Sequence, residues 1–185
     1  LSALGVCVAC GDKADDSIMV FPELDSPPGR LELISHLANG ASIYVDYAHT
    51  PDALSSLLSA LRPRTAGALK VVFGCGGNRD RRKRTKMGYI AQNLADEIII
   101  TDDNPRSESP AKIRKEILST CPKGIEIDDR TDAIKYAISK LSTDDVLVVT
   151  GKGHEKGQVI GDRVFPLDDA AIIRANIQHY KDDVL

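Results

Sequence analysis

No run of this 185-residue sequence approaches the roughly 20 apolar residues of a membrane-spanning helix, and no secretory leader is evident at its start. Both absences point to a cytoplasmic protein with no membrane insertion. Positive charge is not in excess either: the net charge is −3 and the isoelectric point near 5.8, which argues against a nucleic-acid partner. The four cysteines, Cys7, Cys10, Cys75 and Cys121, include only one C-x-x-C pair. A zinc site would need a second close pair or histidines at ligand spacing, so reduced thiols are expected and no metal ligands. The pattern G-x-x-x-x-G-K-[ST] is missing throughout, which excludes a classical triphosphate cradle of the chain's own.

What is present is an ordinary globular composition, 42% hydrophobic and 28% charged, enough for one domain or one domain plus a fragment. The first residue is Leu1, and "LSALGVCVACGDKADDS" reads as the tail of a helix plus a loop. "ELDSPPGRLELI", with paired prolines and a glycine, reads as a linker into a new unit. The expectation is a C-terminal piece of something longer, with residues 1–28 ending one domain and 29–185 forming the next. From Ser42 on, β-branched runs at 42–46, 69–73, 97–101, 125–128 and 146–150 alternate with helical spacing at 51–61, 84–94, 110–118 and 131–141. That alternation predicts an α/β fold, a Rossmann-like, mostly parallel sheet with helices on both faces. A small hairpin over "GQVIGDRVF" and a last helix near 168–177 complete the reading.

Ligands of such sheets bind where the strands' carboxyl ends converge. Four polar or glycine-rich loops fall on that rim: "DYAHTP" (46–51), "GCGGNRD" (74–80), "DDNPR" (102–106) and "GKGHE" (151–155). Each has a plainer explanation. Asp46 and His49 serve equally well as turn and cap groups, "DNP" alone is a common turn, and "GKGHE" is at most half a phosphate loop. Arg106, two residues past the asparagine, supplies what a turn does not need. Gly76 and Gly77 are read as allowing positive φ and close approach of a ligand to backbone N–H groups. Of the five basic side chains Arg79, Arg81, Arg82, Lys83 and Arg84, only Arg79 comes early enough to reach the rim. The others read mostly as a solvated face, although cations at a helix start oppose its dipole and invite an anionic partner.

In order and spacing, "DYAHTPDAL", "VFGCGGNRDRRKR", "MGYIA", "TDDNPRSESP" and "GKGHE" resemble the C-terminal domain of the UDP-N-acetylmuramoyl-tripeptide synthetases, a branch of the Mur ligases of peptidoglycan synthesis. The resemblance runs from about Gly29 to the C-terminus. It implies an ATP- and Mg2+-dependent ligase that activates the D-Glu carboxylate of UDP-MurNAc-L-Ala-D-Glu as an acyl phosphate, which the amine of meso-diaminopimelate then attacks. In that family D-N-P-R goes with diaminopimelate and other residues at the arginine position go with lysine. The resemblance therefore implies that Arg79, Asn104, Pro105, Arg106, Gly151 and Glu155 bind meso-diaminopimelate. The arginines would take carboxylates and Glu155 the ammonium-bearing end. It implies that Arg30, Asp46 and His49 meet ATP: Arg30 near the nucleotide, Asp46 near the ribose, His49 near the base or phosphates. It assigns nothing to Lys83 or Arg84. The family's ATP loop, most magnesium ligands and the UDP-sugar pocket belong to upstream domains of the same polypeptide, so no catalytic residue is expected here and the fragment alone should be inactive. Two alternatives stand beside this reading, a folylpolyglutamate-type or other related ligase and a non-catalytic amino-acid-binding module.

Overall fold

The computed structural model describes residues 2–21, 24 and 26–177. Five strands run parallel: β2 (Ser42–Asp46), β3 (Leu69–Phe73), β4 (Glu97–Ile100), β5 (Ile125–Glu126) and β6 (Val146–Thr150). With the edge strand β1 (Glu32–His36), antiparallel to β2, they form one sheet of order β1-β2-β6-β3-β4-β5. Every residue of β3 and β6 is buried, which is why these strands read as continuous apolar runs.

Strand alternation divides the interior into two cores. Val71, Phe73, Ile98, Ile100, Val146 and Val148 face α3 (Pro51–Leu61), α4 (Arg82–Leu94) and α5 (Pro110–Leu118). Their neighbours Val72, Ile99, Leu147 and Val149 face α6 (Arg130–Ser139) and α7 (Asp169–Asn176) on the other side. The helices start where local chemistry says they should. In α3, Thr50 accepts from the Ala53 N–H at 3.3 Å, Pro51 occupies the first turn, and Leu54, Leu57, Leu58 and Leu61 form the buried stripe. Asp129 and Asp168 cap α6 and α7 in the same way.

Charge buried at the sheet's amino edge is structural: Lys70 donates to Glu97 at 2.7 Å and lies 3.2 Å from Asp145. At the carboxyl edge, fully buried Arg130 holds Asp169 through Nε and Nη2, both at 2.8 Å, and donates to the Thr150 carbonyl at 3.0 Å. This pair ties α6 and α7 to the end of β6, where the site begins.

Two expectations change. The segment read as a linker contains the start of β1, hidden from the sequence because an edge strand with Leu33 half exposed carries no continuous apolar run. Helix α4 begins at Arg82, not Arg84, so the basic run supplies its first turn. At the front of the chain, α1 (Ser2–Ala9) and α2 (Ala14–Met19) leave Val6, Ile18 and Met19 exposed. Strands β7 (Gly157–Ile160) and β8 (Arg163–Pro166) form the expected hairpin. No helix among the described residues is long and apolar enough to cross a membrane.

Candidate functional site

The loop after β4 is built from "DDNPR". Asp103, nearly buried, accepts from the Asn104 N–H at 2.6 Å, and Gln158 of β7 donates to the Asp103 carbonyl at 2.7 Å. Arg106 has φ of +52°, a left-handed conformation that costs a non-glycine residue roughly 1–2 kcal/mol. The hairpin offsets that strain. The Arg106 N–H donates to the Val159 carbonyl at 3.0 Å, and the Gly161 N–H donates to the Arg106 carbonyl at 2.8 Å.

The loop after β3 lies against it. The Gly77 N–H donates to the Asn104 carbonyl at 2.9 Å, and Arg106 Nη1 donates to the Gly77 carbonyl at 2.9 Å. A Cβ on Gly77 would stand 1.9 Å from the Pro105 carbonyl oxygen, so only glycine permits the approach. Contrary to the expectation from the sequence, positive φ does not fall on Gly76 or Gly77. It falls on Asn78 at +54°, whose side chain pairs with Ser107. The glycines serve contact between two backbones.

Arg84 corrects the reading of the basic run. It has no exposed surface; it donates to Glu108 at 2.9 and 3.0 Å, to Glu116 at 2.8 Å and to the Gly76 carbonyl at 3.3 Å. The anionic partners sought for cations at this helix start are internal carboxylates. Arg81 also pairs with Glu116. Hydrogen bonds from Arg84 and from the Asn78 N–H hold the Glu108 carboxyl down at about 2. Cys75, buried behind the loop, has its thiol pushed up to about 12 by that burial and is no nucleophile at neutral pH.

The third loop brings "GKGHE" underneath. Lys152 is fully buried and donates to Asn104 Oδ1 at 3.0 Å and Glu155 Oε2 at 3.1 Å; Asn104 Nδ2 donates to the same Glu155 oxygen at 3.0 Å. Glu155, expected to meet a ligand's ammonium, is thus already neutralised on one oxygen. Arg79, Asn104, Arg106, Gly151 and Glu155 line one cleft of about 520 Å3. Pro105 does not line it; its carbonyl packs on Gly77. Buried Arg84, Arg114 and Arg130 all have carboxylate partners, whereas Arg79 and Arg106, on the cleft wall, have none among the described residues.

A neighbouring cleft of about 550 Å3 is lined by Arg30, Asp46, Tyr47 and His49. Tyr47 and His49 border both clefts. The Arg30 guanidinium stacks 4.4 Å from the Tyr47 ring centroid, with His49 edge-on at 4.7 Å and His154 at 5.5 Å. Asp46 accepts from the Leu31 and Ala48 N–H groups, both at 2.7 Å, so one oxygen closes the local turn and the other ties it to the segment that leads into β1. His49 Nδ1 lies 2.9 Å from the Tyr47 carbonyl, which can only accept, so Nδ1 carries a proton and Nε2 takes no part in this contact.

Sequence reasoning missed Asp103, Lys152, Tyr47 and Arg84. All four lie inside the quoted motifs, and in the first three cases the neighbouring residues carry the stronger signal. Arg84 was hidden because burial of a cation depends on Glu108 and Glu116, more than twenty residues away in the chain. No group of three or more His, Cys, Asp or Glu among the described residues is placed to hold a metal ion.

The family described as "Mur ligase, glutamate ligase domain" matches residues 29–153. The UDP-N-acetylmuramoyl-L-alanyl-D-glutamate–2,6-diaminopimelate ligase of Caulobacter vibrioides is 51% identical over 171 residues, 92% of this chain and 35% of that protein. The ligase of the same name from Rickettsia rickettsii is 51% identical over 168 residues, 89% of this chain and 34% of its own length. The chain thus spans about a third of such relatives. A solved ligase of that name superposes with a TM-score of 0.78 at 36% identity, covering 97% of this chain and 37% of its own. The UDP-N-acetylmuramate-alanine ligase of Thermotoga maritima, at 17% identity and a TM-score of 0.68 over 97% of this chain and 36% of its own, shares the fold.

Proposed function

Since the chain belongs to the Mur ligase family and carries its glutamate ligase domain, we propose that it forms the amino-acid-binding third of an ATP-dependent ligase that adds meso-diaminopimelate to UDP-MurNAc-L-Ala-D-Glu. The observation that carries this reading is the pair of arginines without carboxylate partners, Arg79 and Arg106, on the wall of one cleft with Glu155. Diaminopimelate has two carboxylates and two ammonium groups. Two guanidinium forks and a carboxylate answer three of these four charges, and lysine leaves one fork unanswered. An unpaired charge in a part-buried cleft is costly, so the arrangement selects against lysine as well as for diaminopimelate.

ATP supplies the phosphoryl group that turns a carboxylate into a good leaving group. The residues of this chain that fit nucleotide binding are Arg30, stacked on Tyr47, and His49 with Nε2 open. Asp46 supports them from the turn. The described residues do not fit a magnesium site. Residues 1–28 are proposed as the end of the preceding domain and 29–185 as the amino-acid-binding domain. The chain's task is to bind and aim the amine toward an acyl phosphate formed on the other domains of the same cytoplasmic polypeptide. Amino-acid addition by the complete polypeptide tests the reading. Product with meso-diaminopimelate and little with L-lysine is expected; preference for lysine, or no addition of either, overturns it.

A further inference from the structure

Lys152 is the buried cation that the binding assignments leave unused. It sits between Gly151 and Gly153, whose φ values of +111° and +54° turn the chain so that the side chain enters the interior, and it does not line the cleft. A phosphate-binding role is closed to it, because its ammonium is spent on Asn104 and Glu155.

Those two contacts have a directional consequence. An ammonium can only donate, and so can a backbone N–H. Lys152 Nζ lies 3.0 Å and the Val159 N–H 2.9 Å from the same atom of the Asn104 amide, which must therefore be its oxygen. The amide nitrogen then faces Glu155, whose Oε2 accepts from both Asn104 Nδ2 and Lys152 Nζ. Glu155 Oε1 has no partner among the described residues. One buried cation, together with the Val159 N–H, thus fixes the flip of an amide, and it also holds the rotation of a carboxylate, both on the cleft wall.

We propose that Lys152 is the positioning residue of the amino-acid cleft, setting the Asn104 amide and turning Glu155 so that Oε1 receives the distal ammonium of the incoming amino acid. The inference rests on the diaminopimelate reading above and adds the group through which two of its contacts are aimed. Lys152 acts only through Asn104 and Glu155. Its loss therefore weakens binding of the amino acid without touching the nucleotide cleft.

The test is steady-state amino-acid addition by the complete ligase polypeptide carrying Lys152→Met, Glu155→Gln or both. Loss of hydrogen bonds to a charged group predicts that Lys152→Met raises KM for meso-diaminopimelate about tenfold or more, with KM for ATP unchanged. Because part of the effect of Lys152 passes through Glu155, the double variant should lose less than the two single losses combined. An unchanged KM for diaminopimelate, an equal rise in both KM values, or additive losses in the double variant each overturn the proposal. If Lys152→Met does not fold, Glu155→Gln against the double variant decides alone, since removing both groups leaves no buried charge unpaired. In that comparison an equal KM for ATP in the two variants supports the proposal, and a rise in KM for ATP in the double variant overturns it. Failure of the diaminopimelate reading appears separately, as absence of addition by the unsubstituted enzyme.

Discussion

Arg84 and Glu108 form a two-pronged ion pair, with Nη1 at 3.0 Å and Nη2 at 2.9 Å from the two carboxylate oxygens, although the arginine has no exposed surface. Glu108 also accepts from the Asn78 N–H, and Arg84 reaches the Gly76 carbonyl. The pair thereby joins the loop carrying Arg79 to the segment following Arg106. Replacing Arg84 by methionine strands Glu108 and the Gly76 carbonyl, and should cost roughly 3 kcal/mol in urea unfolding. Arg81→Met, at an exposed side chain on the same network, should leave the urea midpoint nearly unchanged.

Acid should reveal the same pair. The Glu108 carboxyl lies at about 2 in the folded chain, against about 4.3 for an unfolded glutamate. A depressed folded value means that the unfolded state binds the proton first as pH falls. The stabilisation is fully present above about pH 4.3 and is lost on the way down to about 2. Glu116, lowered by Arg81 and then Arg84, acts in the same direction. Glu108→Gln should lower stability at pH 7 and flatten its fall across that window, as read by unfolding at fixed pH values. An unaltered slope would mean that the ion pair contributes nothing.

Much of this architecture is legible in the sequence because strands and helices are local patterns. The runs at 42–46, 69–73 and 146–150 coincide with β2, β3 and β6, and Pro51 and Pro110 open α3 and α5. The grouping of Arg79, Asn104, Arg106, Gly151 and Glu155 follows from placing their loops at one sheet edge. What is not legible depends on partners distant in the chain. Arg84 looks like its neighbours Arg82 and Lys83 until Glu108 and Glu116 fold over it. Lys152 looks like a phosphate-loop lysine until Asn104 is seen beneath it. Strand β1 is invisible because pairing with β2, not a hydrophobic run of its own, makes it a strand.

Gly77 offers a test of the loop contact. A methyl group there meets the Pro105 carbonyl oxygen at 1.9 Å, and the obstacle is backbone with no side chain to swing aside. Gly77→Ala should separate the two loops, lowering the thermal midpoint and raising KM for meso-diaminopimelate in the complete enzyme. Wild-type values for both would show that the loops close without this approach.

The cysteines should separate by reactivity. Burial pushes the Cys75 thiol up to about 12, and Cys121 is raised by the same cause. Cys10 is exposed on the surface. Iodoacetamide at pH 8, followed by peptide mass mapping, should label Cys10 and leave Cys75 and Cys121 free until the chain is unfolded. Labelling of Cys75 in the native protein would require the β3 loop to open.

The two clefts share Tyr47 and His49 on their walls but not their arginines, and that division should be visible in kinetics. Arg106 contributes to the amino-acid cleft alone, so Arg106→Ala in the complete enzyme should raise KM for meso-diaminopimelate strongly. One lost bidentate contact to a carboxylate corresponds to about tenfold or more. The same change should leave KM for ATP in place and narrow the preference over L-lysine, because the fork that lysine cannot satisfy is gone. Arg30 stands over Tyr47 in the other cleft, so Arg30→Ala should raise KM for ATP and spare the amino acid. His49 borders both, and His49→Ala should raise both constants. Unchanged kinetics in Arg106→Ala would sink the assignment of the amino-acid cleft. A rise in both constants for each arginine variant would mean that the clefts act as one site, with Tyr47 as its shared floor.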